Sequence, residues 1–142
     1  MFESQGVLSR TELESRKEIA AEQYEKHVNV EANLVAEIAQ TKIYPVAVTY
    51  AASLAEANAK IKAAGGSTST ATLEKVASLT TELETSIADL KRIHSEAHGL
   101  ADWTFKVCPA MLKVREVVDA LEGLLPDDVW PLPTYQEMLF IK

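Results

Sequence analysis

Two histidines stand at a spacing that permits metal binding. His94 and His98 are four positions apart on a predicted helix, so both imidazoles would leave the same helix face and could reach one cation. Asp102 follows one turn later, but Gly99 interrupts the helical path to it, and no fourth ligand or HExxH-type glutamate accompanies the pair. His94 also falls on an apolar seam, and His98 lies near the predicted carboxyl end of its helix, where the dipole favours positive charge. We expect packing and capping roles, with a metal-binding bundle through His94 and His98 as the alternative.

The single cysteine, Cys108, is the other candidate for chemistry. It precedes Pro109, has no histidine at a recognisable spacing, and falls beside an apolar seam. This setting predicts a small buried hydrophobe instead of a nucleophile. A lone cysteine cannot form an internal disulfide, which fits a reducing compartment.

Other catalytic signatures are missing from the sequence. Gly65 and Gly66 follow a predicted helix instead of a strand, so they do not form a phosphate-binding loop, and no GxSxG motif occurs. A row of glutamates on the first predicted helix is typical of a solvated face. The residues therefore predict a helical scaffold with no catalytic centre and no cofactor of its own.

Composition limits the partners. The 142 residues are the size of one domain, and we expect a single helical domain over residues 1–142. With 21 acidic against 14 basic residues, the net charge of −7 excludes the clustered cationic surface that nucleic acid requires. No 18-residue apolar run and no signal-like segment is present, so we expect no membrane partner and a cytoplasmic protein.

The elements that must position these residues are long helices. A capping box at Ser9 and Glu12 opens a helix predicted from about Thr11 to Ala64, which Pro45 should kink near Ile43 and Tyr44. Beyond the proline the helix is rich in alanine, and we expect that half to be buried against a neighbouring helix. The Gly-Gly-Ser-Thr-Ser-Thr run at 65–70 then caps this helix and starts the next.

Two further helices carry regular apolar seams. The second helix, which Gly99 should end, has its seam at Leu73, Val76, Thr80, Leu83, Ile87, Leu90, His94 and Ala97. The third, from about Ala101 to Gly123 and bent early by Pro109, has its seam at Val107, Met111, Val114, Val118, Leu121 and Leu125. The two seams predict an antiparallel hairpin. The fold class is therefore all-α, an elongated three- to four-helix bundle with a long proline-kinked first helix.

The tail contains the densest group of prolines and aromatics. Pro131 and Pro133 forbid a continuing helix, and Thr134 with Glu137 forms a capping-box pattern before a short helix predicted over residues 135–140. The tail contains neither a full PxxP nor a full PPxY motif, so we do not expect it to be a proline-rich ligand for an SH3 or WW module. We expect structural or interface anchors, which together with two helix prolines are Trp130, Pro131, Pro133, Tyr135, Leu139, Phe140, Pro45 and Pro109.

The same tail carries a resemblance to a known family. The WPLPTY run at 130–135 with Leu139 and Phe140, preceded by MLKVR at 111–115 and DALE at 119–122, resembles the carboxyl end of type III glutamine synthetases. Upstream residues are similar to the helix that follows the catalytic domain in that family; they are Glu12, Leu13, Arg16, Tyr24, Val30, Glu31, Ala32, Ile43, Pro45 and Tyr50.

The resemblance implies an accessory role. Members of the family ligate ammonia to glutamate with ATP and magnesium or manganese, in a catalytic region upstream of the helical tail. None of their catalytic or metal-binding residues falls on this sequence, so the chain alone is expected to be inactive. It would stabilise the catalytic domain and the assembly of subunits. An independent binding or adaptor bundle is the alternative, and an amidoligase with its own chemistry is disfavoured because phosphate-binding motifs are missing.

Overall fold

The computed structural model describes residues 6–133 and 135–139, with the side chains of Tyr135 and Gln136 excepted. Its regular elements in that range are helical, as the sequence predicts. The elements in chain order are α1 (Arg10–Ile38), a π-helical turn (Ala39–Ile43), α2 (Tyr44–Ala63), α3 (Ala71–Glu96), α4 (Gly99–Asp102), a second π-helical turn (Trp103–Val107), α5 (Cys108–Glu122) and α6 (Tyr135–Leu139).

The predicted capping box starts α1. The backbone amide of Glu12 donates to the Ser9 hydroxyl at 3.3 Å, and the Glu12 carboxylate accepts from the Ser9 amide at 2.8 Å. These bonds satisfy amides that have no partner inside the helix. The donated bond from the Ser9 backbone amide is also the main reason that the pKa of Glu12 lies below its ordinary value.

Each of the two helix prolines follows a π-helical turn. Pro45 is the second residue of α2 and Pro109 is the second residue of α5. In both places the five residues directly before the helix form the π-helical turn. The amide of Tyr44 accordingly bonds to the carbonyl of Ala39, five residues back. Proline has no backbone donor and its ring collides with the carbonyl four residues earlier, so a wider turn lets the helix continue past it. The disruptions predicted at both prolines take this form.

Glycines end α2 and begin α4. Gly65 adopts a left-handed φ of 80° and donates to the carbonyl of Lys62, while the Gly66 amide bonds to Ile61, which is the Schellman arrangement. The prediction for Gly99 needs correction: α3 ends at Glu96, and Gly99, with φ 76°, is the first residue of α4 instead of the last of α3. Only glycine adopts that conformation at little cost, so Gly99 lets the chain turn sharply into the next helix.

The predicted hairpin forms the centre of the bundle. Helix α5 packs antiparallel to α3, and the continuous α1–α2 helix packs across the pair. Most of the predicted seam is buried, although Val117 takes the buried position on α5 and Val118 is half-buried. The core consists of Val28, Ala32, Ala36, Ala39, Ile43, Ala47, Val76, Leu83, Ile87, Leu90, Val107, Val114, Val117, Leu121 and Leu125.

The prediction that the alanine-rich half of the first helix is buried is wrong. Within α2 only Ala47 is buried, and the exposed alanines are Ala52, Ala55, Ala57, Ala59 and Ala63. Helix α2 packs mainly on α3, so a single stripe through Leu54 and Asn58 is partly covered. The alanines that do permit close helix approach lie earlier, at positions 32, 36 and 39.

Candidate functional site

The structure places His94 in a hydrogen-bonded cluster between helices. Its Nε2 atom lies 2.6 Å from the Asn29 Oδ1 atom, and the amide of Asn33 donates to the same oxygen at 3.0 Å. An amide oxygen only accepts, so Nε2 of His94 carries the hydrogen. The bond joins the middle of α1 to the last turn of α3. Asn29 was not singled out in the sequence, and the only signal was its i,i+4 relation to Asn33.

An aromatic contact completes the cluster. The rings of His94 and Trp103 lie 5.5 Å apart at an interplanar angle of 81°, an edge-to-face arrangement. Such pairs contribute about 0.5–1.5 kcal/mol beyond the burial of their area. His94 therefore connects α1, α3 and the π-helical turn before α5.

His98 and Asp102 are hydrogen-bonded to each other at the start of α4. His98 is exposed, and its backbone amide donates to the Asp102 carboxylate at 3.0 Å. The carboxylate also pairs with Lys106 at 2.7 Å. The bond from Lys106, followed by that from the His98 amide, holds the pKa of Asp102 below its ordinary value.

The described part of the chain offers no converging metal ligands. Among those residues no three histidine, cysteine or acidic side chains come together. The described residues therefore contain no ligand set that fits the magnesium or manganese implied by the resemblance. Metal binding through His94 and His98 stays an untested prediction, and the geometry does not favour it, because the Nε2 atom of His94 is already bonded to Asn29.

Cys108 contacts a phenol. Its Sγ atom lies 3.7 Å from the Tyr24 hydroxyl, and the residue is half-buried. The contact joins the start of α5 to α1. A thiol needs a neighbouring base or cation to become a strong nucleophile, and a phenol supplies neither. The arrangement suits helix packing.

An open groove of about 310 Å³ runs between α1 and α3. Its floor is formed by Ala32, Ala36 and Leu90, all buried. On its rim the Lys91 ammonium donates to the side-chain oxygen of Gln40. Small side chains on the floor explain the space, and two of the rim groups already bind each other.

The tail residues divide into a packed group and an exposed group. Trp130 and Leu132 are half-buried against the core, and the Trp130 amide bonds to the carbonyl of Pro126 at 3.2 Å. Further on, Met138 and Leu139 in α6 are 53% and 75% exposed. The anchors Pro131 and Pro133 are half-buried and exposed, respectively. The Tyr135 side chain, Thr134 of the proposed capping box, and Phe140 lie outside the described residues.

An apolar groove of about 470 Å³ lies beside the tail. Pro45, Val46 and Tyr50 line it from α2, and Val129 lines it from the tail. The kink-associated proline and the tail thus share one surface. No helix in the described range is both long and apolar enough to cross a bilayer.

Comparisons with known proteins agree with the resemblance read from the residues. Residues 1–62 match the family described as glutamine synthetase C-terminal domain. The type-3 glutamine synthetase of Dictyostelium discoideum is 32% identical over 158 aligned residues, covering 100% of the chain and 21% of the relative. The glutamine synthetase of Bacteroides fragilis (strain YCH46) is 24% identical, covering 96% and 21%. The chain thus spans about a fifth of the length of these curated relatives, and no solved structure matches significantly.

Proposed function

The chain is related to the C-terminal domain of type-3 glutamine synthetases, and on this premise we propose that it is the non-catalytic helical module of such an enzyme. The parent reaction is the ATP-dependent ligation of ammonia to glutamate, carried out in the cytoplasm. The module's partners are the catalytic domain and neighbouring subunits, and its role is to stabilise both. One observation carries the proposal: 100% and 96% of the chain align with 21% of the length of the two relatives.

The described residues support a structural role. The side chains best suited to chemistry are tied to packing or capping contacts, because His94 bonds to Asn29, Asp102 to His98 and Lys106, and Cys108 to Tyr24. Several large apolar side chains face solvent instead, among them Phe105 at 78% and Leu139 at 75%. Exposed apolar surface of this kind suits a module that is covered by other parts of a larger protein.

The experiment starts with the gene. The reading frame upstream of Met1 is sequenced, and the full-length protein is compared with a truncated protein that lacks residues 1–142 of this chain. We expect the full-length protein to form glutamine and to assemble into an oligomer, measured by light scattering, and the truncated protein to lose thermal stability and assembly.

The isolated 142-residue chain is the control, and it should form no glutamine. A stop codon directly upstream of Met1, or equal assembly and melting temperature with and without the chain, would contradict the proposed function.

A further inference from the structure

One helix presents apolar residues on a second, unburied side. Leu100, Phe105 and Leu112 are 43%, 78% and 55% exposed, and Pro109 between them is also exposed. Phe105, Pro109 and Leu112 are spaced by four and three positions, so they follow one face of the continuous helix from α4 to α5. We call Phe105, Pro109 and Leu112 the outer stripe. The seam at Val107, Met111 and Val114 on the same helix has a similar spacing, so spacing alone does not distinguish the inner face from the outer one.

The opposite face of the same helix is core. Val107, Val114 and Leu121 are at most 1% exposed. A surface helix normally has one apolar face and one polar face, whereas a helix with apolar residues on two sides is typical of one with neighbours on both. Within residues 6–133 and 135–139, only one of those two sides is covered.

Two lysines next to the outer stripe are paired with acidic residues of this chain. Lys106 binds Asp102 at 2.7 Å, and Lys113 binds Glu82 at 2.5 Å. The bond to Glu82 also raises the pKa of Lys113 above its ordinary value. The residues of the stripe are themselves uncharged, which suits an apolar partner surface.

The stripe lies beside the middle of α1. The Tyr24 hydroxyl contacts Cys108, whose neighbour Pro109 belongs to the stripe. Tyr24 is fourteen residues into α1, which is roughly 21 Å from Arg10 at 1.5 Å per residue. A polypeptide that precedes a C-terminal domain is attached at the first residues of α1, and this chain covers only 21% of each relative's length, so the remaining polypeptide is large enough to span that distance.

We propose that the outer stripe is the surface on which the preceding polypeptide of the same enzyme packs, through apolar side chains of its own. This inference rests on the proposed function, because it requires a catalytic region upstream. It adds the surface of contact, which neither the family match nor the relatives assign.

The test measures side-chain accessibility in the full-length protein and in the isolated chain. Hydroxyl-radical footprinting, read by mass spectrometry, should show a several-fold fall in the oxidation of Phe105 and Leu112 when the upstream region is present. Leu34, 49% exposed on the outward side of α1, is the matched internal reference for Leu112 and should change little.

Variants provide a second measurement. Phe105→Glu and Leu112→Glu should restore oxidation of the stripe residue that remains and lower the melting temperature of the full-length protein, with little effect on the isolated chain. Leu34→Glu is the matched control. Its effect on the full-length protein should be small.

The outcomes separate the two proposals. If the stripe is oxidised equally in both proteins while the full-length enzyme is assembled and active, the proposed contact at the stripe is wrong and the proposed function still stands. A stable dimer of the isolated chain that Phe105→Glu converts to a monomer also overturns that contact, because a second copy would then cover the stripe. A gene without an upstream catalytic region contradicts the proposed function itself.

Discussion

The Nε2 atom of His94 lies 2.6 Å from the Oδ1 atom of Asn29, a bond that joins residues 65 positions apart in the sequence. Because Asn33 donates to the same oxygen, the three side chains have one consistent pattern of donors and acceptors. The histidine whose spacing suggested a metal ligand instead links α1 to α3 beside the ring of Trp103. Its hydrogen bond and ring contact fix the relative placement of α1, α3 and the π-helical turn before α5.

Replacing Asn29 with alanine should destabilise the chain by about 1–3 kcal/mol, because the half-buried N–H of His94 would lose its acceptor. Urea denaturation measures the change. Gln23→Ala, at an exposed position on the same helix, is the control and should change stability by less than about 0.5 kcal/mol. Similar losses in both variants would mean that the bond contributes little.

Leu121 and Leu112 give a direct test of which side of α5 is core. Leu121 is 0% exposed and Leu112 is 55% exposed. We expect Leu121→Ala to cost about 2–5 kcal/mol of unfolding free energy in the isolated chain, since it leaves a cavity. Leu112→Ala should cost far less there. Thermal and urea unfolding measure the loss of stability in both variants. A larger loss for Leu112→Ala than for Leu121→Ala would refute the packing described for α5.

Trp130 should contribute to the stability of the chain because its side chain is partly buried. The indole is half-buried against the core, so Trp130→Ala should lower stability by about 2–3 kcal/mol, taking half of a typical aromatic area at 25 cal/mol per Å². This is less than the loss expected for a fully buried tryptophan. Leu139→Ala, at a position 75% exposed, is the control in the same tail. No difference between the two variants would contradict the docking of Trp130.

The sequence predicted the helices and the hairpin well because local rules dominate there. The seam from Val76 to Leu90 repeats at three and four positions, a spacing that indicates one apolar helix face packed on the core. The capping box at Ser9 and Glu12 requires only neighbouring residues, so it too could be read directly. The site anchors at the tail are different, since no observation tests their role.

What could not be predicted depended on neighbours. Alanine permits close packing but does not require it, so burial in α2 depended on whether a second helix reached Ala52 and Ala55, and both are exposed in the part of the chain that the structure describes. Likewise, a glycine can end a helix or start one, and Gly99 starts α4 because the chain turns there. The partner of His94 lies 65 positions away, beyond the reach of any local pattern.

The last prediction concerns the pH dependence of stability at the start of α4. The Lys106 ammonium and then the His98 amide lower the pKa of Asp102 in the folded chain. The folded pKa is below the unfolded one, so the contribution of the Asp102 carboxylate to stability is fully present above about pH 4, the ordinary value for aspartate, and is lost as the pH falls through the lower folded pKa.

Asp102→Asn keeps an acceptor for the His98 amide but removes the charge. The stability difference between wild type and Asp102→Asn should therefore be largest near neutral pH and should shrink at acidic pH, as measured by urea unfolding of both proteins at matched pH values. Asp127→Asn, at an exposed position in the turn after α5, is the control for removing a carboxylate, and its effect should stay small throughout. A difference for Asp102→Asn that does not depend on pH would show that the charge of this carboxylate does not stabilise the turn into α4.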